Sequence, residues 1–254
     1  MSAPAIVLEA VVDSVESAIA AAAAGADRLE LCTAFELGGL SPSAGLMDAV
    51  RAAVRIPVYA LLRPRGGDFV FSASELGVTL REITYAQASG MDGVVIGALD
   101  ARGLPVMDWL RACKSAAGHM ALTFHRAFDR VAAQAEVLEL LIDAGCDRVL
   151  TSGGAASALQ GLDQLRALQT QAAGRIGILP GAGISPANAQ HIAATIGTAE
   201  LHFSGIHKAT RHWDWARRDA AMGQQETDQG SSFFVPDPEK VAAMRACFPR
   251  APHA

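Results

Sequence analysis

Gly25-Ala26-Asp27-Arg28-Leu29-Glu30-Leu31-Cys32 closes one helical pattern and opens one strand, and the same punctuation returns twice along the chain. Gly90-Met91-Asp92 and Gly145-Cys146-Asp147 also stand where a helical stretch gives way to a short apolar run. Glycine supplies the left-handed residue after a helix C-terminus. The aspartate that follows it can hydrogen-bond its own turn. Working outward from these three points, short apolar runs alternate with helical patterns from end to end. The runs are Ile6–Val12, Arg28–Cys32, Val58–Leu62, Gly93–Gly97, Met120–Thr123, Arg148–Thr151, Ile176–Leu179 and Glu200–Phe203. The stretches between them carry helix starts. Asp13 with Glu16 and Ser72 with Glu75 have the capping-box spacing. Ser41-Pro42 and Ser185-Pro186 place a cap residue before a first-turn proline.

Eight strand–helix units with no linker imply an α/β fold, a (β/α)8 TIM-type barrel, with a doubly wound open sheet as the alternative. The length of 254 residues suits one such barrel, typically about 250 residues. The expectation is a single domain over 1–254. It includes an irregular segment at 207–237 and a C-terminal helix near 238–248. Arg211, Trp213, Trp215, Arg217 and Arg218 mix aromatic and basic residues in that segment. They suggest a cover over the barrel mouth, a subunit contact, or simple packing on the barrel.

Half of the residues are apolar, enough for a large core, and the net charge is -5. That charge gives no reason to expect a nucleic-acid partner, whose binders carry a basic face. Met1 to Pro4 lacks the positive start of a signal peptide. The Ala18–Ala26 run falls short of the roughly 18 apolar residues that cross a bilayer. These features lead to the expectation of a soluble, cytoplasmic protein with no membrane partner. The cysteines Cys32, Cys113, Cys146 and Cys247 show no paired spacing, which argues against a disulfide framework or structural zinc.

In a barrel the active site lies at the C-terminal ends of the strands, and side chains alternate inward and outward with period two. Glu9, Glu30 with Cys32, Thr123 with His125, and His202 with Ser204 fall on one parity. Bulky apolar residues fall on the other. Arg63 ends the third strand, and Arg65, Asp68, Arg126 and Asp129 follow strand ends. These residues form either a ligand pocket or a salt-bridge network plugging the barrel mouth. Carboxylates beside guanidiniums have depressed pKa values, which favours ion pairing. An unperturbed imidazole titrates near pH 6.5, so His125 is the better proton-transfer candidate. Glu30 and Glu9 are the further acid–base candidates. Ser152-Gly153-Gly154 and Gly181-Ala182-Gly183 follow the sixth and seventh strands. There they could hold a phosphate near a helix N-terminus or merely turn the chain. Cys32 and His125 are donors a soft metal such as Cu(I) accepts, although no local run of ligands accompanies them.

At these residues the chain resembles the CutC-type copper homeostasis family. The matching stretches are Gly25–Cys32, Ile56-Pro57 with Arg63–Phe69, Thr123–Asp129, Leu150–Gly154 and Pro180–Gly183. The resemblance implies a cytoplasmic (β/α)8 barrel, a homo-oligomer (dimer or tetramer), and copper binding, with Cu(I) held at Cys32. The family's second cysteine, just after the strand-one glutamate, is missing, since Glu9 is followed by Ala10, Val11 and Val12. Ser204 is followed by Gly205 and Ile206, which departs from the family's Ser-x-Arg pattern. Copper homeostasis is the expected assignment, with an enzyme as the alternative that the pocket chemistry supports. The first is copper handling through Cys32. The other is an enzyme acting on a small anionic metabolite, phosphorylated or carboxylated. For the enzyme, Arg63, Arg65 and Arg126 form the clamp, and His125 or Glu30 moves the proton. The remaining ligand contacts are assigned to Asp68, Asp129, Ser152, Gly153, Gly181, Gly183, His202 and Ser204.

Overall fold

The computed structural model describes residues 6–210 and 232–250. Eight parallel strands run β1 Val7–Val12, β2 Arg28–Leu31, β3 Val58–Leu61, β4 Gly93–Ile96, β5 Ala121–Phe124, β6 Arg148–Thr151, β7 Gly177–Pro180 and β8 Glu200–Ser204. Helices follow the first seven strands: α1 Val15–Ala23, α2 Ala44–Ala53, α3 Ala73–Ala88, α4 Met107–Ala117, α5 Gln134–Asp143, α6 Leu162–Ala172 and α7 Ala189–Ile196. The hydrogen-bonded order is β7-β6-β5-β4-β3-β2-β1-β8, and β7 and β8 lie side by side, so the sheet is a nearly closed barrel. The open-sheet alternative is set aside. All eight expected runs are strands, with ends displaced by about one residue.

Period-two alternation divides the strands as their sequence requires. Leu8, Ala10, Leu29, Leu31, Val94, Ile96, Leu122, Phe124, Leu201 and Phe203 join one large buried layer between barrel and helices. Val11, Cys32, Tyr59, Leu61 and Val95 form a separate, smaller cluster inside the barrel.

The repeated Gly-x-Asp turns do more than the sequence suggests. Gly25, Gly90 and Gly145 have φ of +106°, +75° and +79°, as a left-handed exit from a helix demands. The aspartates, however, bond the neighbouring strand rather than their own turn. Leu8, Val58 and Leu122 donate their backbone N–H groups to Asp27, Asp92 and Asp147 at 2.9, 2.9 and 2.8 Å. Each carbonyl of those three residues accepts the N–H of the same aspartate. Each aspartate therefore clips the base of its own strand to the strand before it.

Three helix starts differ from expectation. Ser14, not Asp13, caps α1 and forms a capping box with Ser17. Ser43 caps α2, because the Ser41 hydroxyl is engaged with Glu82. Ser185–Asn188 makes a separate turn closed by the Asn188 side chain, and α7 begins after it. The Ser72–Glu75 box on α3 is present in both halves.

Beyond β8, strands β9 Ile206–Thr210 and β10 Ser232–Pro236 pair antiparallel, and helix α8 Pro238–Cys247 follows. The expectation of irregular chain thus gives way to a ribbon at both ends of 207–237. Arg211, Trp213, Trp215, Arg217 and Arg218 lie outside the described residues. Among the described residues no helix is long and apolar enough to cross a membrane.

Candidate functional site

The lower interior of the barrel is a chain of ion pairs. Glu9 and Arg28 pair in full burial, Arg28 also reaches Glu200, and Arg148 meets Glu200 at 2.7 Å. Both guanidiniums lie over the Tyr59 ring, at 4.9 and 5.3 Å from its centroid. Above them His202 Nδ1 is 2.7 Å from Glu9 Oε1 and 4.0 Å from Glu30 Oε2. Burial alone would raise the Glu9 pKa, but Arg28 and His202 together bring it down to about 2. Burial pushes Glu30 up to about 7, with Glu9 adding to the rise and His202 and Arg28 opposing it. Burial lowers the His202 pKa, yet Glu30 and Glu9 more than offset it, and the net direction is upward. Glu30 Oε2 is buried with no hydrogen-bond partner. Among the described residues Glu9, Glu30 and His202 bring three potential metal-donor atoms within 4.8 Å of one another. Arg28 already neutralises Glu9, so the set reads as an ion-pair network.

Over this network lies a cavity of about 380 Å³ at the C-terminal strand ends. Glu30, Cys32, Arg63, His125, Arg126, Gly183, His202 and Ser204 line it, as do Phe35, Phe69 and Lys240. Arg63 is buried, yet backbone carbonyls hold it. Nη1 donates to Leu37 and Gly39 at 2.9 and 3.3 Å, and Nη2 donates to Gly67 at 2.9 Å. The guanidinium stacks on Phe69, and its Nε has no partner. No carboxylate forms an ion pair with it among the described residues. Burial, aided by Arg65, lowers its pKa.

His125 stands at the end of β5 with its Nδ1 accepting from the Ala127 N–H at 3.1 Å. That bond fixes the proton on Nε2, which is buried and unpartnered. Burial and the Arg63 charge bring the pKa down to about 3. The expectation of an imidazole titrating near neutrality therefore does not hold. The ring is a neutral hydrogen-bond donor.

The remaining sequence candidates separate into rim, support and lining. Arg65 and Asp68 do not line the cavity. They pair with each other at 2.9 Å on the exposed rim, where Arg65 also reaches Glu75 at 2.7 Å. Asp129 lies behind the lining and accepts from the Thr151 and Ser152 hydroxyls and from the Ser152 and Gly154 N–H groups. It also pairs with Arg126 at 2.7 Å, and that guanidinium donates to the Ser152 hydroxyl at 3.0 Å, which ties it to the turn after β6. Ser152 and Gly153 thus build the turn after β6. Gly181 is needed for packing, since a Cβ there would sit 2.6 Å from Leu150. The Cys32 thiol lines the cavity beside Val11, and burial, then Glu30 and Asp13, drive its pKa far up. Lys240 was not anticipated. It comes from α8, beyond the last barrel strand, and no periodic signal ties that helix to the mouth.

The match to other proteins covers the barrel that carries this cavity. The model of the CutC family fits residues 6–207. The chain belongs to the CutC family. A CutC family protein of Xanthomonas axonopodis pv. citri is 51% identical over 197 residues, covering 78% of this chain and 82% of that one. The human copper homeostasis protein cutC homolog is 40% identical over 239 residues, covering 94% of this chain and 88% of that protein. Among solved structures, the Streptococcus agalactiae CutC, named for copper homeostasis, superposes with a TM-score of 0.74 at 27% identity. That match covers 78% of this chain and 97% of that one. This CutC family member therefore shares the barrel and a family named for copper homeostasis.

Proposed function

We propose that the cavity binds a small organic anion, carboxylated or phosphorylated, and that the protein acts on it as an enzyme. One observation carries this reading. The Arg63 guanidinium is buried without a carboxylate and stands near the unpartnered Nε2–H of His125. A buried cation lacking a counterion costs free energy that an anionic ligand recovers. Lys240 adds positive charge at the mouth, where Arg126 is already paired with Asp129, and the Gly183 backbone approaches the same space. Glu30, with its free carboxyl oxygen, is the proton-transfer group. Glu9 holds His202 and Arg28 in place beneath it.

Copper at Cys32 is the second reading, supported by the family name and by a thiol on the cavity wall. Soft Cu(I) favours thiolate and thioether donors. Here Val11 fills the neighbouring position, and the thiol is held protonated. Four free cysteines suit a reducing cytoplasm. The family resemblance supports a homo-oligomer.

Thermal-shift screening of carboxylated and phosphorylated metabolites tests the anion reading. Hits should raise the melting temperature of the wild type and lose that effect in Arg63→Gln, whose folding is checked by circular dichroism. A panel in which no anion shifts the wild type overturns the reading.

A further inference from the structure

Two unsatisfied buried groups face the cavity from different strands, and they are chemically complementary. Glu30 on β2 offers a carboxyl oxygen that accepts nothing, and His125 at the end of β5 offers an N–H that donates to nothing. Buried polar atoms are nearly always satisfied in native proteins, so an orphaned acceptor and an orphaned donor on one cavity point to a ligand that fills both. We infer that the site catalyses proton abstraction from the carbon α to a carbonyl, on a small compound whose carboxylate or phosphate is held by Arg63. This rests on the anion reading above and adds the reaction class and the roles.

His125 cannot exchange roles with Glu30. Its Nδ1 is committed to the Ala127 N–H at 3.1 Å, so only Nε2–H is free, and the ring meets the cavity as a donor. A neutral imidazole N–H matches the oxygen of an enolate better than an imidazolium does, because it stabilises developing charge without surrendering its proton early. Gly97 keeps this ring in place from below. A Cβ at that position would lie 2.5 Å from two imidazole atoms, so the wall has been cut back to seat the ring. Glu30 lies above His202, whose Nδ1 is 4.0 Å from its Oε2, too far for a hydrogen bond. The volume of about 380 Å³ admits a molecule of a few carbons.

In the step, Glu30 takes the α-hydrogen as a proton. The C–H electron pair becomes the C=C bond of the enolate, and the carbonyl π pair moves onto oxygen, which receives the hydrogen bond from His125 Nε2–H. Exchange of the Glu30 carboxyl proton with solvent, followed by return of a solvent-derived proton to the same carbon, gives isotopic exchange. Where the α-carbon carries a hydroxyl, passage of that hydroxyl's proton to the enolate oxygen makes the hydroxyl carbon the new carbonyl, and return of the Glu30 proton to the former carbonyl carbon gives isomerisation. No oxidant or second substrate is required.

The test is ¹H NMR in D2O with a panel of 2-oxo acids and phosphorylated ketones of three to six carbons, each also scored for its melting-temperature shift. At least one compound that shifts the wild type should lose its α-proton signal well above the buffer blank. Glu30→Gln should slow that exchange by about 10²–10⁴-fold while the shift from the same compound is retained. Compounds that bind but exchange no faster than the blank overturn the enolisation proposal and leave the anion reading standing. Exchange that survives Glu30→Gln also overturns it. A panel in which nothing shifts the wild type defeats the anion reading itself, and enolisation with it.

Discussion

His202 stands directly opposite Glu9 in the β8–β1 register, and its Nδ1 lies 2.7 Å from the Glu9 carboxylate. That pairing ties the last barrel strand to the first inside the barrel, and it leaves Glu30 Oε2, 4.0 Å from the same imidazole, without a hydrogen bond. Glu9 holds two partners at once, since Arg28 takes its other oxygen. Removing one member of a buried pair leaves an uncompensated charge, which costs about 3–5 kcal/mol. Glu9→Gln is therefore expected to lower the unfolding free energy by that amount, read as a lower urea midpoint at an unchanged m-value. It should also shift the His202 imidazole titration, followed by NMR, downward.

Stability should fall on both sides of a narrow pH window, for opposite reasons. Burial and Arg63 lower the folded-state pKa of His125 to about 3, so its contribution is complete above about 6.5 and is lost as the pH falls towards 3. Burial, with Glu9 adding to it, raises that of Glu30 to about 7 against the charges of His202 and Arg28, so its contribution is present below the ordinary carboxylate range and is lost as the pH rises through about 7. Glu30→Gln should flatten the alkaline limb of the curve and leave the acid limb in place. Denaturant melts from pH 4 to 9 read both limbs, and an unchanged alkaline limb in the variant contradicts the assignment.

The sequence made the barrel legible because two periodicities agree. Gly-x-Asp punctuation marks the helix-to-strand junctions, and strand parity sends Glu9, Glu30, Cys32, His125 and His202 inward as expected. What it hid are contacts made across long separations. Arg65 and Asp68 sit next to Arg63 in the chain, yet they satisfy each other and Glu75 on the rim. The neutral state of His125 depends on burial and on Arg63, neither of which a residue type reveals. Lys240 reaches the mouth only because α8 packs back beside β1, a contact with no local trace in the chain.

The aspartate clips can be separated from their surface ion pairs. Asp147 accepts the Leu122 N–H at 2.8 Å and also meets Lys114 at 2.8 Å. Asn keeps the acceptor and removes the charge, at a cost of about 0–1 kcal/mol for so exposed a pair. Ala removes both and strands a backbone donor, at about 1–3 kcal/mol. Asp147→Ala should thus be the more destabilised of the two in denaturant melts. Equal losses would place the energy in the ion pair.

For copper, the wall around Cys32 decides the expectation. A thiolate there would lie beside Glu30 and Asp13, with Val11 where a second soft donor is needed. Anaerobic Cu(I) titration against a competing chelator should show the same weak binding in the wild type and in Cys32→Ser. Tight binding that disappears with the thiol would restore the copper reading.

Gly97 offers the sharpest test of the His125 seat, because the substituted residue has no side-chain chemistry of its own. An added methyl would lie 2.5 Å from Cε1 and Nδ1 of the imidazole, closer than side-chain carbons approach. The ring must swing away, its bond to the Ala127 N–H must break, and Nε2–H loses its place on the cavity wall. Gly97→Ala should cost about 1–3 kcal/mol in stability, as overpacked cores do, and should abolish the melting shift given by an anion that binds the wild type. Gly77, on α3 with nothing within 4 Å of a Cβ, supplies the contrast. Alanine there should stabilise the protein by about 0.5–1 kcal/mol through helix propensity and leave the anion shift intact. A Gly97→Ala protein that still responds to the anion like the wild type would show that the His125 ring is not part of the binding surface.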